Sequence, residues 1–340
     1  MQIGMRDARR IGVIHLNQIG DLVFALPLLA SLRRNFPRAE ICSILKPGLA
    51  ELLEASPYVD RIIPKKDDWA AKWGLARDLR GCSLDLLISL ARSEGALMLT
   101  TLSKAGIKAG FANFPWDMAL DVKTHIEGHN SWYNNAKLLK AMDIPVAQDS
   151  YVGLLHVNPV LTPDGLPARY AVISAGASSR RLIKAWDEDK FAELIARLKT
   201  HYDLAAVLVG GADSRACNER IKELAYARLG SRHGGIVDLS GCLSLKALVA
   251  VLKQAALFVG IDSGVMHLAS ALDLPVVGLF GPTDPIYVGP QNRESRVVRE
   301  ELDCMPCYVK PGCRDYDCMR RLSVDRVWDA CVALLGAAAV

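Results

Sequence analysis

Residues 260–285 read GIDSGVMHLASALDLPVVGLFGPTDP. The stretch leaves an apolar run, ALFVGI (256–261), turns on Asp262-Ser263-Gly264, and continues as a helix-like segment of small and apolar residues, VMHLASALDL. A second apolar run, PVVGLFG (275–281), ends in another turn, Gly-Pro-Thr-Asp-Pro (281–285). Packing alone would be satisfied by apolar periodicity and any turn. Here a carboxylate, a hydroxyl and two bare backbone turns fall at the carboxyl ends of two successive strands, which is where open α/β sheets bind ligands.

The same alternation extends in both directions. Toward the N-terminus, strand-like IGVIHL (11–16), AEICSIL (39–45), RIIP (61–64) and LDLLISL (84–90) are separated by helical patterns near 22–35, 48–55, 68–80 and 95–105. The pattern restarts with YAVISAG (170–176), AAVLVGG (205–211) and IVDLSG (236–241), with helical periodicity near 187–201, 213–229 and 244–255. Repeated βα units with apolar strands imply parallel sheets covered on both faces. The fold class is therefore α/β: two Rossmann-like domains with parallel sheets facing across a cleft. The segment HVNPVLTPDGLPARY (156–170) has three prolines and no helical period, which places the boundary there. The expected division is residues 1–160, residues 161–322, and a C-terminal helix within 323–340 that packs back on the first domain.

A chain of 340 residues is long for one core, and 51% hydrophobic with 23% charged residues excludes a disordered protein. A net charge of +4 suits an anionic ligand or surface but is far too small to indicate a nucleic-acid partner. The opening MQIGMRDARR is not a secretion signal, and no apolar stretch reaches the ~18 residues of a membrane span, so a cytoplasmic location is expected. In that compartment the nine cysteines read as thiols or ligands, not a disulfide framework. Cys304, Cys307, Cys313 and Cys318 have the spacing C-x2-C-x5-C-x4-C, which suits a small zinc site; structural or redox thiols are the preferred reading. Cys42, Cys82, Cys217, Cys242 and Cys331 lie in apolar or helical settings and read as buried thiols.

Three strand-to-helix turns carry the chemistry. In IGVIHLNQIGDLVFALPLL (11–29), Asp21 opens a helix after Gly20. For an arbitrary Asp the plain reading is a helix-opening acid, favoured there by about 0.3–1 kcal/mol. No G-x-G-x-x-G is present, so hydride chemistry loses its best support. In SAGASSRRLIKAWDEDKF (174–191), Ser178 and Ser179 sit among small residues that expose backbone amides, and Arg180, Arg181 and Lys184 add positive charge. That combination suits a pyrophosphate better than it suits a merely solvated basic loop. The third turn is Asp262-Ser263-Gly264, with His267 within the following helical turn and Thr283 in the next turn. A lone His on an apolar helix is more often structural than catalytic.

The block D-S-G-V-M-H-L-A-S-A-L-D-L-P-V-V-G-L-F-G-P-T-D-P resembles the hallmark of the family-nine glycosyltransferases, the ADP-heptose:lipopolysaccharide heptosyltransferases, and in particular heptosyltransferase II-like members. Gly20-Asp21 with Leu26-Pro27, LDLLISL with Arg92-Ser93, AGIKAGF (105–111), HNSWYNNAKLL (129–139) and SAGAS…K-A-W (174–186) extend the resemblance along nearly the whole chain. It implies a GT-B fold and inverting, metal-independent transfer of heptose from ADP-heptose to the lipopolysaccharide inner core, with no cofactor required. Asp21 matches the general base, Lys184 the lysine on the donor phosphates, and Asp262, Ser263 and Gly264 the donor loop, where Asp262 meets sugar hydroxyls. His267 matches a donor-site histidine. Asp213, in GGADSRACNE (210–219), stands near where the family often has a ribose-binding Glu, and is the candidate substitute.

The implied partners are ADP-heptose, the lipopolysaccharide core and lipid A, and the anionic inner face of the cytoplasmic membrane. The first domain carries Arg6, Arg9, Arg10, Arg33, Arg34, Arg38, Lys46, Lys65, Lys66 and Lys72, and several of these, beside strand ends or on the first helix, are expected to flank the cleft mouth. Competing readings are another GT-B enzyme, such as an epimerase or a transferase of a different nucleotide sugar, and a non-catalytic binder. The presence of Asp21 argues against the last.

Overall fold

The computed structural model describes residues 7–65, 68–176, 182–231, 235–308, 313 and 315–336. The chain divides into two compact units, Met1–Asn158 and Pro159–Val340. In the first unit the elements are β1 (Arg10–Ile14), α1 (Ile19–Asn35), β2 (Glu40–Leu45), β3 (Arg61–Pro64), α2 (Trp69–Gly81), β4 (Leu86–Ser89), α3 (Glu94–Leu102), β5 (Ile107–Phe111), β6 (Val122–Thr124) and α4 (Trp132–Ala141). The second holds β7 (Tyr170–Ser174), α5 (Glu188–Tyr202), β8 (Ala205–Leu208), α6 (Arg215–Leu229), β9 (Ile236–Asp238), α7 (Leu245–Gln254), β10 (Leu257–Ile261), α8 (Gly264–Ala271), β11 (Val276–Phe280), α9 (Pro285–Val288), β12 (Ser295–Arg299), α10 (Asp317–Arg320) and α11 (Val324–Leu335).

Each unit is built on a six-stranded sheet, ordered β3-β2-β1-β4-β5-β6 and β12-β11-β10-β7-β8-β9, and every strand pair is parallel. Counted from its own first strand, each order is 3-2-1-4-5-6, the doubly wound arrangement. The central strands explain why the apolar runs were unbroken: every residue of β7, β10 and β11 is buried, as helices on both faces require. The two central strands of the second sheet approach closely. A Cβ at Gly260 would stand 2.7 Å from the Ser174 carbonyl oxygen, so only glycine fits that register.

Three expectations are corrected. The helical pattern near 48–55 is a short 3-10 turn, Pro47–Leu52, opened by its proline. The C-terminal helix is part of the second unit: Val324, Val327 and Cys331, one face of α11, join its core with Phe191, Leu257 and Leu279. Trp186 Nε1 donates to Leu322 O at 2.9 Å just before α11 begins, and Arg197 pairs with Asp325 at 2.7 Å. Cys242, read as buried, is exposed, whereas Cys42 and Cys331 are buried.

A fourth correction concerns the basic residues. In a βα unit the helix returns to the amino edge of the sheet. Arg9 and Arg10 lead into β1, Arg33 and Arg34 lie in the last turn of α1, and Arg38 precedes β2. These five therefore gather at the edge opposite Asp21, not around the mouth of a site at the carboxyl edge. Lys65 is buried, and Arg6 and Lys66 lie outside the described residues.

Candidate functional site

In the second unit β7 and β10 are neighbours whose following connections run to opposite sides of the sheet. At such a point the two loops separate and leave a crevice at the carboxyl edge. The loop after β7 brings Lys184, in the 3-10 turn Leu182–Lys184, to this edge, and β10 is followed at once by Asp262. Lys184 Nζ donates to Asp262 Oδ2, which also accepts from Thr283 Oγ1 at 2.8 Å. His267 Nε2 lies 3.5 Å from Asp262 Oδ1. All four residues are buried, so the cluster is sheltered from bulk screening.

Burial by itself would push the Asp262 carboxyl up. The hydrogen bond from His267 and the charge of Lys184 overcome it and hold the group well below the usual carboxylate range. The carboxylate is thus ionised, and most of its hydrogen-bonding capacity is taken by the protein itself. Ser263 caps α8 without donating or accepting a side-chain capping bond, and its enclosed hydroxyl oxygen has no hydrogen-bond partner. An unsatisfied buried hydroxyl costs about 1–3 kcal/mol. Beside it lie the first-turn amides of α8, which have no partner within the helix. Gly264 keeps that approach clear of side chain.

The structure brings together Lys184, Asp262, His267 and Thr283, with Ser263 and Gly264 adjoining. Asp213 is exposed in a 3-10 turn after β8, outside this hydrogen-bonded cluster. Ser178 and Ser179, with Arg180 and Arg181, lie outside the described residues. Asp21 is half-buried in the first turn of α1, just beyond the carboxyl end of β1 in the first unit.

Sequence reasoning missed a buried polar group in the first unit. His15 Nε2 is 3.1 Å from Ser43 Oγ, and Lys65 Nζ donates to His15 O at 2.8 Å. Burial, then the nearby Lys65 charge, lowers the His15 pKa to about 3, so the imidazole is neutral. The available signal was a histidine ending the otherwise apolar run IGVIHL.

The four cysteines of the spaced segment differ in burial. Cys304 and Cys313 are exposed, Cys307 is half-buried and Cys318 is buried. Burial, with smaller contributions from Cys307, Cys313 and Cys304, raises the Cys318 thiol to about 11. Among the described residues no group of three or more His, Cys, Asp or Glu side chains could hold a metal ion.

The chain is similar to known proteins in both sequence and fold. Residues 72–315 match the family described as glycosyltransferase family 9 (heptosyltransferase). Lipopolysaccharide heptosyltransferase 3 of Escherichia coli K12 is 25% identical over 316 residues, covering 84% of this chain and 89% of that protein. Among solved structures, a family 9 glycosyl transferase from Veillonella parvula aligns with a TM-score of 0.78 at 21% identity, covering 98% of both chains. The ADP-heptose lipopolysaccharide heptosyltransferase II of E. coli aligns at 0.75 and 21% identity, covering 96% of this chain and 98% of that one. The fold likeness carries the expected GT-B class, and the family match spans both units: the chain belongs to glycosyltransferase family 9, the heptosyltransferases.

Proposed function

We propose that the protein transfers heptose from ADP-heptose to the inner core of lipopolysaccharide, with inversion at the anomeric carbon and without a bound metal ion. The observation that carries the donor half is the carboxyl edge of the second sheet. It presents a buried ammonium, an enclosed hydroxyl without a partner and unpaired helix amides within one crevice. Those are the donors that a nucleoside diphosphate needs. Lys184 has three N–H bonds, and Asp262 engages only part of that capacity. Asp262 acts chiefly to hold Lys184 and Thr283 in place, a role its burial favours over direct sugar contact.

Asp21 is the base. The acceptor hydroxyl loses its proton to Asp21 as its oxygen attacks the anomeric carbon, and the bond to the ADP oxygen breaks on the opposite face. The departing diphosphate gains negative charge, which Lys184 and the α8 amides stabilise. A fixed cation there does the work that a divalent ion does elsewhere. The name of the E. coli enzyme of similar fold, with its ADP-heptose donor and lipopolysaccharide acceptor, supports this choice of substrates.

The acceptor is an anionic lipid, so the enzyme meets it at the inner face of the cytoplasmic membrane. Among the described residues no helix is long and apolar enough to cross a membrane. Contact is peripheral and weak, since most exposed arginines of the first unit lie at the far edge of its sheet. Mass spectrometry of ADP-heptose with a heptose-deficient lipopolysaccharide acceptor tests the reading. A product heavier by one heptose, formed equally with and without chelator and shown by its NMR anomeric coupling to be inverted relative to the donor, is expected. Transfer from another nucleotide sugar in preference to ADP-heptose would overturn it.

A further inference from the structure

Asp262, the centre of the charged cluster in the second unit, takes one of its bonds from Thr283 Oγ1 at 2.8 Å. The turn that carries Thr283 is itself held by the cysteine-bearing segment. Pro282 O accepts from Cys307 N at 3.0 Å and from Tyr308 N at 2.8 Å. Gly281 is pressed against α10: a Cβ there would stand 2.9 Å from Cys318 Sγ and 2.7 Å from Met319 Sδ. Two cysteines thus clasp the two residues that precede Thr283. We propose that Cys304 and Cys307 form a thiol-modification site, closed to a disulfide by a low-molecular-weight disulfide, and that its state sets how firmly the second unit holds a nucleoside diphosphate. The effect on the diphosphate rests on the proposed donor role of this edge; the thiol chemistry does not.

Exposure is the first argument. A buried free cysteine is accounted for as a small apolar side chain, as Cys331 is in the core of the second unit. Cys304 is exposed and Cys307 half-buried, so packing does not account for them, and both are free thiols. They stand three positions apart in Cys304-Met305-Pro306-Cys307. A turn brings residues so spaced to within about 7 Å, close to the Cα span of a disulfide. A turn is present where the pair begins, since Met305 N donates to Leu302 O at 2.9 Å. Burial, then the charge of Cys307, Cys313 and Cys304, raises the Cys318 thiol to about 11, so these sulfurs gather around it. A thiol that keeps its proton is a poor nucleophile, which leaves the exposed Cys304 to attack and Cys307 to resolve.

The chemistry balances. The Cys304 sulfur, its proton given to water, attacks one sulfur of R–S–S–R and expels RS⁻. The Cys307 sulfur, deprotonated in turn, attacks Cys304 Sγ of the mixed disulfide and expels the second RS⁻. The two thiolates take up the two protons released, so one small disulfide is reduced to two thiols while two cysteines are oxidised. The new bond ties Cys307 Cβ to Cys304 and rotates the backbone at the residue whose N–H, with that of Tyr308, holds Pro282 O. Both hydrogen bonds are made in the reduced form, so this rotation weakens them. The turn bearing Thr283 then orders Asp262 and Lys184 less well. In a reducing compartment the pair rests as a dithiol and its oxidation is transient.

The whole protein is reduced, freed of reductant and treated with oxidised glutathione; alkylation and peptide mass spectrometry then locate the lost thiols. The expected product is a Cys304–Cys307 link that dithiothreitol reverses. Cys307→Ser should stop at a glutathione adduct on Cys304, and Cys304→Ser should form no link. Cys242, exposed on another loop, is the internal control and should carry at most an adduct. A link to Cys313 or Cys318 instead, adducts without any link, or one zinc per chain protecting all four thiols of the reduced protein overturns the site. Calorimetry with ADP reads the coupling. Oxidised wild type should bind about three- to tenfold more weakly than reduced, the scale of one or two backbone hydrogen bonds. Cys304→Ser should bind alike before and after treatment. Equal ADP affinity in the two wild-type forms overturns the coupling. No ADP binding in either form overturns the coupling together with the donor role, while the thiol map decides the site by itself.

Discussion

The two sheets share one strand order, yet their carboxyl edges hold charge in opposite ways. At β7 and β10 the cation is closed on an internal partner: Lys184 sits on Asp262, and Thr283 and His267 complete the cluster. At β1 and β4 the cations Lys72 and Arg92 face a cavity with no carboxylate partner among the described residues. A buried ammonium needs its counter-charge to remain ionised in the absence of ligand. Half-exposed cations do not, because water screens them. The same scaffold thus supports a closed charge cluster and an open one, and burial decides which.

The largest expected effect separates the two edges by chemistry. Asp21→Asn should lower single-turnover transfer by on the order of 10²–10⁴, the range for loss of a general base, while ADP affinity is unchanged. Near-normal turnover would return Asp21 to the role of a helix-opening acid.

Asp262→Asn strikes the closed edge. It leaves Lys184 buried without its counter-charge and should destabilise the second unit by about 3–5 kcal/mol in denaturant unfolding at neutral pH. Because the folded carboxyl pKa is depressed, its stabilisation is present above the ordinary Asp range and is lost only as pH falls through the lowered value. The variant should therefore converge on wild type only in strong acid. A constant gap down to the lowest pH at which folding persists would mean the pair contributes by shape alone.

Lys184→Ala should weaken ADP about ten- to a hundredfold and adenosine hardly at all, since a charge-assisted bond to phosphate is worth about 1.5–3 kcal/mol. Equal weakening of both, by calorimetry, would show that Lys184 acts through folding.

The smallest effect belongs to the open edge. His15 drops from an unfolded pKa of 6.5 to about 3 in the fold, so the unfolded chain takes up the proton first. Stability is then lost as pH falls from about 6.5 toward 3, by about 2 kcal/mol between pH 7 and pH 5. His15→Gln should flatten that slope, and a slope left unaltered would assign the acid sensitivity to other groups.

Strands buried on both faces were readable because their apolar runs are continuous: 170–174, 257–261 and 276–280 are entirely buried. Asp262, Ser263 and Gly264 were placed at a strand end by the same logic. The missed strands are IKAGF, VKT and SRVVR; the last two lie at sheet edges, are short and partly polar, and carry no alternation long enough to register. Lys184 and Asp262 are 78 residues apart, and only the strand order brings them together. Lys65 read as a surface charge because nothing local shows that the β1–β2 edge closes over it. Likewise, the arginines of α1 read as flanking the mouth because a list of positions does not show that a helix returns to the opposite edge.

The core position of α11 bears on how such proteins can be recombined. Because its buried face joins Phe191, Leu257 and Leu279, everything the second sheet needs for its core follows Pro159 in one unbroken stretch. A single crossover between Asn158 and Pro159 would exchange the complete second unit between related enzymes. Had the last helix belonged to the first unit, each exchange would have needed two joints and a matched tail. New pairings of the two units are thus reachable by one genetic event.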